Sequence, residues 1–238
     1  VTNAWAQNNG WCWQIPTKNR RGCGYVFCDS FVTPDQAHAE LEQTIGRKVE
    51  PIRHIKFDSG RQETLWIKNV LSIGLCAAFA EPLEATSIHT TIMQLKHFVY
   101  ACLGQTQQET CNDGTVDDYN LKNGHLYDTM KDFLVAHYTC GRKDTEFWKY
   151  IDSGATSTDF VRSIHEVCKH RVPNSTLFPR QEGSAGWPLW SYVLAGTGKL
   201  SDYVCRKELD YNNDAFIADA SYKQHIEQHD KKTTHLPD

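Results

Sequence analysis

Several common signatures of metal, nucleotide and hydrolase sites are missing from the 238 residues. There is no C-x-x-C pair, no H-E-x-x-H, no G-x-G-x-x-G, no P-loop and no G-x-S-x-G elbow, so no zinc, dinucleotide or serine-hydrolase site is indicated locally. The net charge of −4 and the pI of about 6.3 do not indicate a positively charged surface that would bind nucleic acid or an anionic membrane. No apolar run reaches the roughly 18 residues of a membrane span. We expect a soluble protein.

Nine cysteines are scattered along the chain and are odd in number. Because they lack paired spacing, they predict neither a disulfide framework nor a zinc site, and reduced thiols in a cytoplasmic protein fit them better. The eleven histidines also lack metal spacing. Hydrophobic residues make up 40% of the chain, which is enough for one large domain or for a core with an appended helical part.

An alternating segment, Gly10–Pro16, opens the predicted strands. Alternation places Trp11 and Trp13 on one face, where two indole rings form a wall. The ordinary interpretation is that both rings fill a core. A glycine-punctuated strand over 20–27 follows and predicts a hairpin with the first segment.

A capping box in Thr33-Pro-Asp-Gln36 predicts a helix that ends at Gly46. The chain then returns to extended structure over 50–73. Asp58-Ser-Gly60 is the predicted turn of a second hairpin.

The segment 74–89 carries the strongest chemical pattern. It runs from Gly74 through an acidic loop with Glu84 to Thr86 and Ser87, which are favoured helix N-cap residues. A helix start presents free amides and a positive dipole end, so anions are favoured there. Apolar residues at helical spacing then predict one buried helix face: Ile88, Ile92, Leu95, Val99 and Leu103. An ordinary capped strand-to-helix connection would look the same.

Helical periodicity dominates the second half of the chain. Apolar stripes over 126–137 and 160–168 and a capped segment over 144–150 predict three helices, whereas the polar stretch 105–123 is predicted to carry a loop. The charged tail is expected to be helical around 216–226. The fold class is therefore α+β, with a sheet-containing part at 1–104 and a mainly helical region at 105–238.

Two motifs together resemble the flavin-dependent halogenases, the tryptophan halogenase family. Trp11-Cys-Trp-Gln-Ile-Pro16 is similar to that family's W-x-W-x-I-P signature, and residues 74–88 look like its second flavin-side segment. The residues between and after these two motifs are also similar to the family's sequences, including His137-Tyr138 and Asp144-Thr-Glu-Phe-Trp148. Since Val1 is not a methionine and the family's dinucleotide fingerprint and lysine are missing, the resemblance implies the C-terminal half of such an enzyme, inactive alone.

The resemblance implies FAD, reduced by a separate flavin reductase, and a halide ion as cofactors. In the family, reduced flavin, oxygen and halide give hypohalous acid, which reaches an electron-rich arene through a tunnel. By motif position, Glu84 is the catalytic glutamate and the amides of Thr86 and Ser87 bind halide. Trp11 and Trp13 separate the substrate from the flavin. The resemblance also implies four flavin-side residues: Gly74, Ala77, Ala78 and Ile88.

Departures from the family bear on the substrate. Ala85 follows the glutamate where serine is also common, and residues 178–190 do not reproduce the segment that grips free tryptophan. Trp187 and Trp190 line the arene pocket or belong to the core. We therefore expect an indole, phenol, pyrrole or carrier-bound aromatic instead of free tryptophan. A homodimer is the candidate assembly. A related flavin monooxygenase and a non-catalytic fragment are the alternatives.

Overall fold

The computed structural model describes residues 3–104, 106–178 and 185–211. The described strands are β1 (Asn3–Gln7), β2 (Gly10–Pro16), β3 (Arg21–Phe27), β4 (Gly60–Arg61), β5 (Trp66–Ile67), β6 (Val70–Leu71) and β7 (Ala78–Phe79). The described helices are α1 (Pro34–Ile45), α2 (Ser87–His97), α3 (Gln107–Thr110), α4 (Asp113–Tyr138), α5 (Glu146–Asp152), α6 (Asp159–Cys168), α7 (Trp187–Gly196) and α8 (Asp202–Tyr211). The α+β class predicted from the sequence is confirmed.

The first three strands form an antiparallel sheet in the order β1-β2-β3, which confirms the predicted hairpin. Cys12 is fully buried on the face that packs on α1, while the two tryptophans of β2 lie on the opposite face. Trp13 pairs with Gly24, and a Cβ added to Gly24 would lie 2.1 Å from the Trp13 ring. The indole therefore covers a position that only glycine can occupy.

The predicted capping box of α1 is present. Thr33 and Gln36 bond reciprocally across the first turn, and Gly46 ends the helix at φ 72°. Tyr25 of the sheet donates a hydrogen bond to Glu40 Oε2 of α1 at 2.9 Å. The local sequence alone was sufficient to locate this helix.

The predicted turn at 58–60 is wrong. The second hairpin joins β5 to β6 and turns at Lys68, whose φ is 53°, whereas β4 pairs with β7. Long-range contacts with α4 fix this arrangement. The Arg61 guanidinium donates to both oxygens of Asp128 at 3.0 and 2.9 Å, and Asn120 Oδ1 accepts from the amides that open β5.

The polar stretch 105–123, predicted to carry a loop, is mostly helical, because α3 and the start of α4 lie there and are joined by the short connection Cys111–Asn112. Thr106 caps α3 in a capping box with Glu109, and Asn112 accepts a hydrogen bond from the Thr115 amide at the start of α4. These capping pairs outweigh the polar composition of the segment.

The predicted stripe of α4 is buried, as expected from its periodicity, and in α6 Val161, Ile164 and Cys168 are buried while Phe160 and Val167 are half-buried. Residues from α4, α6, α7 and α8 form one core, whose buried members include Met130, Phe133, Val161, Ile164, Cys168, Trp190, Leu194 and Val204. A second core combines Leu65, Trp66, Ala77 and Cys102 with Tyr119 and Tyr127 of α4. Because this second core joins residues on both sides of position 104, we keep the division into 1–104 and 105–238 only as a proposal.

Helix α2 forms as predicted, but the prediction of its buried face is wrong. The five apolar residues of the predicted face are exposed, and we call them the exposed stripe: Ile88, Ile92, Leu95, Val99 and Leu103. Thr90 and Gln94 are buried instead. Gln94 Oε1 accepts from the Gly74 amide at 3.0 Å and from Tyr127 Oη at 2.8 Å, so this side chain holds α2 against the rest of the chain.

None of the helices within the described ranges combines the length and apolar content that crossing a bilayer requires. All nine cysteines lie in these ranges and are free. The predicted tail helix at 216–226 lies outside the described residues.

Candidate functional site

Glu84 lies on a tight loop between β7 and α2. Ala85, the next residue, has φ 51°, in the left-handed region that side-chain-bearing residues rarely adopt, and its amide donates to Pro82 O at 3.1 Å. Such strained positions persist where the surrounding structure fixes them, and they concentrate at functional sites. The loop therefore holds Glu84 in a defined place immediately before the helix.

Glu84 contacts the C-terminal end of α4. Its Oε1 lies 2.8 Å from Nε2 of His137, and the Glu84 side chain is 35% exposed against 10% for His137. Nδ1 of the same ring lies 2.9 Å from the carbonyl oxygen of Phe133. Since a carbonyl only accepts, Nδ1 carries a hydrogen there and Nε2 faces the carboxylate. The histidine thereby orients one oxygen of a partly exposed glutamate.

A second carboxylate on the same loop contacts the next residue of α4. Glu81 Oε2 accepts a hydrogen bond from Tyr138 Oη at 3.3 Å, and Oε1 accepts from the Leu83 amide at 3.2 Å. Burial raises the pKa of Glu81 to about 7, although both hydrogen bonds lower it. The loop thus carries a half-buried carboxyl group at Glu81 and a more exposed one at Glu84.

Trp11 lies against the two α4 residues that hold these carboxylates. Its ring centroid is 6.3 Å from that of His137 and 6.3 Å from that of Tyr138, both edge to face. Its buried Nε1 has no hydrogen-bond partner within the described part of the chain. Trp13 lies on the same sheet face, over Gly24. The structure therefore brings Trp11 and Glu84 together through His137.

The start of α2 leaves its first turn without a side-chain cap. Thr86 occupies the N-cap position but makes no capping hydrogen bond, and Ser87 is the first helical residue. The carbonyl oxygen of Thr86 accepts from the Thr90 amide at 2.9 Å, which begins the helical ladder. Both residues are half-buried. Uncapped amides at the positive end of an eleven-residue helix suit an anion.

The four predicted flavin-side residues have different environments. Ile88 is exposed, Gly74 and Ala78 are half-buried, and Ala77 is buried in the second core. Gly74 has φ 65° and an added Cβ would lie 3.2 Å from Thr91 Oγ1, so a glycine is required there. Three of the four can meet a ligand, and Ala77 contributes packing beneath them.

The two C-terminal tryptophans belong to the helical core. Trp190 packs edge to face on Phe133 at 5.1 Å and on Phe160 at 5.9 Å. Trp187 is also buried, and its Nε1 has no partner among the described residues. The sequence left open whether these two rings line the arene pocket or belong to the core. In the structure, both rings lie in the core.

Sequence reasoning assigned no role to Glu81, His137 or Tyr138. The signal was present in the pair of glutamates in Glu81-Pro-Leu-Glu84 and in a His-Tyr pair at the end of a predicted helix. What the sequence could not provide is the contact between these segments. No group of His, Cys, Asp and Glu that could hold a metal ion occurs within 3–104, 106–178 and 185–211.

The sequence profile of the family described as "Tryptophan halogenase" matches residues 1–208. The chain belongs to this family. Tryptophan 6-halogenase SttH of Streptomyces toxytricini is 34% identical over 209 residues, which are 84% of this chain and 38% of SttH. The 7-chloro-L-tryptophan 6-halogenase KtzR of Kutzneria sp. (strain 744) is 32% identical over 209 residues, with the same coverage of 84% and 38%.

Among solved structures, the chain is similar to Tar14, a tryptophan C-6 flavin-dependent halogenase (chlorinase) from taromycin biosynthesis. The TM-score is 0.83 at 29% identity, and the match covers 99% of this chain and 47% of Tar14. The chain therefore spans less than half the length of the halogenases that it resembles.

Proposed function

We propose that this chain forms part of a FAD-dependent halogenase that uses reduced flavin, oxygen and halide to halogenate an electron-rich aromatic. SttH, KtzR and Tar14 are named for tryptophan or chlorotryptophan, so an indole is the first candidate, ahead of a phenol or pyrrole. Residues 179–184, part of the segment on which the argument against free tryptophan rested, lie outside the described residues. A separate flavin reductase is the proposed partner.

The observation that carries this proposal is the contact of Glu84 with His137. A carboxylate oxygen fixed at 2.8 Å, on a side chain that is one-third exposed, can accept a hydrogen bond or a proton from a reacting species next to it. We assign this role to Glu84. Trp11, which contacts His137, would form with Trp13 the barrier between substrate and flavin.

The environment of the helix start fits a halide and one side of a flavin. The uncapped first turn of α2 provides amides for an anion at Thr86 and Ser87. Gly74, Ala78 and Ile88 would hold one side of FAD. When bound, reduced FAD would supply the reaction with oxygen that oxidises the halide. The chain carries no glycine fingerprint for the phosphates of FAD, so these residues account for one side of the flavin and not for its phosphates.

The test uses the complete halogenase that contains this sequence. We expect Glu84→Gln to abolish halogenation, measured as halide-dependent product mass, while flavin reoxidation stays nearly unchanged. Glu146→Gln, which changes a carboxylate that is 79% exposed, is the matched control. Loss of flavin binding in Glu84→Gln would contradict the assigned role, and a hydroxylated product in the unmodified enzyme would indicate a monooxygenase.

A further inference from the structure

We propose that Glu81 is a positioning residue of the candidate site, which holds a proton and thereby leaves Glu84 as the single negative charge on the loop before α2. This role rests on the proposed function, because it concerns how a halide is kept at the start of that helix. It follows from the partners of the two carboxyl groups, from the surroundings of Glu81, and from the position of the anion site on the same loop.

The two carboxyl groups of the loop have different partners. Glu84 Oε1 lies 2.8 Å from Nε2 of His137, a side chain that can carry a positive charge. The donors to Glu81 are neutral, namely the hydroxyl group of Tyr138 and the amide of Leu83. Glu81 forms no ion pair with a lysine or arginine of the described ranges. When two carboxyl groups share a site, the one with the less favourable environment for charge keeps the proton.

The length of the contact between Tyr138 and Glu81 supports an uncharged carboxyl group. A hydroxyl group that donates to an ionised carboxylate lies about 2.5–2.7 Å from it. Tyr138 Oη lies 3.3 Å from Glu81 Oε2, and the Leu83 amide lies 3.2 Å from Oε1. Neither contact has the length of a charge-assisted hydrogen bond.

The surroundings of this contact are aromatic. The ring centroid of Tyr138 is 6.3 Å from that of Trp11, 6.2 Å from that of Trp148 and 6.3 Å from that of Phe147. An apolar environment disfavours the ionised form of a carboxyl group. In agreement with this geometry, burial raises the pKa of Glu81 to about 7.

Three titratable side chains face Glu81, and two more face its partner. Tyr138 and His137 approach Glu81 from α4, and Glu84 approaches it from its own loop. The hydrogen bond from Tyr138 and the proximity of His137 lower the pKa of Glu81, whereas Glu84 raises it further. Tyr25 of β3 and Cys28, just beyond that strand, act on Tyr138 from the sheet. The proton of Glu81 is therefore sensitive to the charge of Glu84.

The anion site explains why this proton matters. The uncapped first turn of α2, with the amides proposed to bind halide at Thr86 and Ser87, follows directly on the loop. A second carboxylate on this loop would repel a halide and would offset the positive end of the helix dipole. Ionisation of Glu81 should therefore weaken halide binding, and the protonated form keeps the helix start attractive to an anion.

The first experiment locates the proton without turnover, by infrared spectroscopy of the complete halogenase that contains this sequence. The C=O stretching band of a protonated carboxyl group should be present at pH 6 and lost by pH 8. Glu81→Gln should lack this band, and Glu84→Gln should retain it. Asp132→Asn is the matched control, because burial also raises the pKa of Asp132, while the groups that act on it lie on α4 and at Thr158.

The second experiment measures the KM for bromide in halogenation against pH. In the unmodified enzyme the KM should rise on the order of tenfold between pH 6 and pH 8, as Glu81 ionises beside the site. Glu81→Gln and its amide should abolish this rise, whereas Asp132→Asn should leave it intact. In Tyr138→Phe the rise should begin at a higher pH, because the hydrogen bond that lowers the pKa of Glu81 is gone.

Two results would overturn the inference: a carboxyl band at pH 6 that persists in Glu81→Gln with unchanged intensity, or a bromide KM with the same pH dependence in Glu81→Gln as in the unmodified enzyme. Failure of the proposed function is distinguishable from both, since it would appear as no halide-dependent product from the unmodified enzyme. The infrared bands of the variants would then decide alone whether Glu81 holds the proton.

Discussion

Nε2 of His137 lies 2.8 Å from Oε1 of Glu84. This contact joins the loop that opens α2 to the last turn of α4, two segments that are far apart in the sequence. The His137 ring is itself held by the Phe133 carbonyl and packs edge to face on Phe133 at 4.9 Å and on Trp11 at 6.3 Å. The position of Glu84 on its loop therefore depends on a residue of helix α4.

We predict that His137→Phe loosens this loop. Phenylalanine keeps an aromatic ring against Trp11 but removes both polar contacts, so the free energy of unfolding should fall by about 1–3 kcal/mol. Amide hydrogen exchange should accelerate across residues 81–86 and remain unchanged in α1. Unchanged exchange in the loop would mean that His137 does not position Glu84.

The pKa of Glu81 gives a prediction for stability against pH. Because the pKa of the Glu81 carboxyl is about 7 in the folded chain and 4.5 when the group is not buried, the stability that its protonated form contributes is present at low pH and is lost as pH rises from about 4.5 to 7. The loss is about 3 kcal/mol. Glu81→Gln keeps the shape of the side chain and should remove this dependence, measured by urea unfolding at pH 5 and pH 8. A Glu81→Gln variant with the same pH profile as the unmodified chain would refute the assignment.

His165 should produce the opposite dependence. Burial, with Lys199 nearby, lowers the pKa of this histidine from 6.5 to about 4. The unfolded chain therefore takes up a proton first on acidification, and stability is lost as pH falls from about 6.5 to 4. Since the ring is only partly buried, we discount the effect to about 1–2 kcal/mol.

The measurement for His165 compares urea unfolding of His165→Leu with that of the unmodified chain at pH 4.5 and pH 6.5. The variant should lose less stability on acidification. The Glu81 and His165 contributions have opposite signs in this range, so each variant should reveal the dependence that the other residue masks. If His165→Leu instead loses more stability than the unmodified chain between pH 6.5 and pH 4.5, the histidine is already protonated in the folded chain, and the assignment is wrong.

The sequence predicted the elements whose signals are local. The capping box at Thr33, the capped helical segment within 144–150 and the buried stripe of α4 depend on residues a few positions apart, and all three are present. The pairing of β4 with β7 was missed because Arg61 is fixed by Asp128 of α4, a contact that no local pattern encodes. The face of α2 was missed because a glutamine network, and not apolar burial, anchors it.

In the candidate site too, local patterns were predicted from the sequence and long-range contacts were not. Resemblance identified Glu84 and Trp11, and the structure brings both to His137. The resemblance gave no means of choosing His137 or Tyr138 as their partners, because a histidine at a helix end usually has a structural role. Only the packing of the 81–86 loop on α4 distinguishes these two residues from the other histidines and tyrosines.

The final prediction concerns Gln94, which fixes α2 and the Gly74 turn together. Gln94→Leu should lower the free energy of unfolding by about 2–4 kcal/mol, because it leaves the Gly74 amide and the Tyr127 hydroxyl without their acceptor. Tyr127→Phe removes one of these two groups, and the double variant should lose less than the sum of the single losses. Urea unfolding of the four proteins measures this coupling. Strict additivity would show that Gln94 and Tyr127 act independently, and the network would then not explain why the polar face of α2 is the buried one.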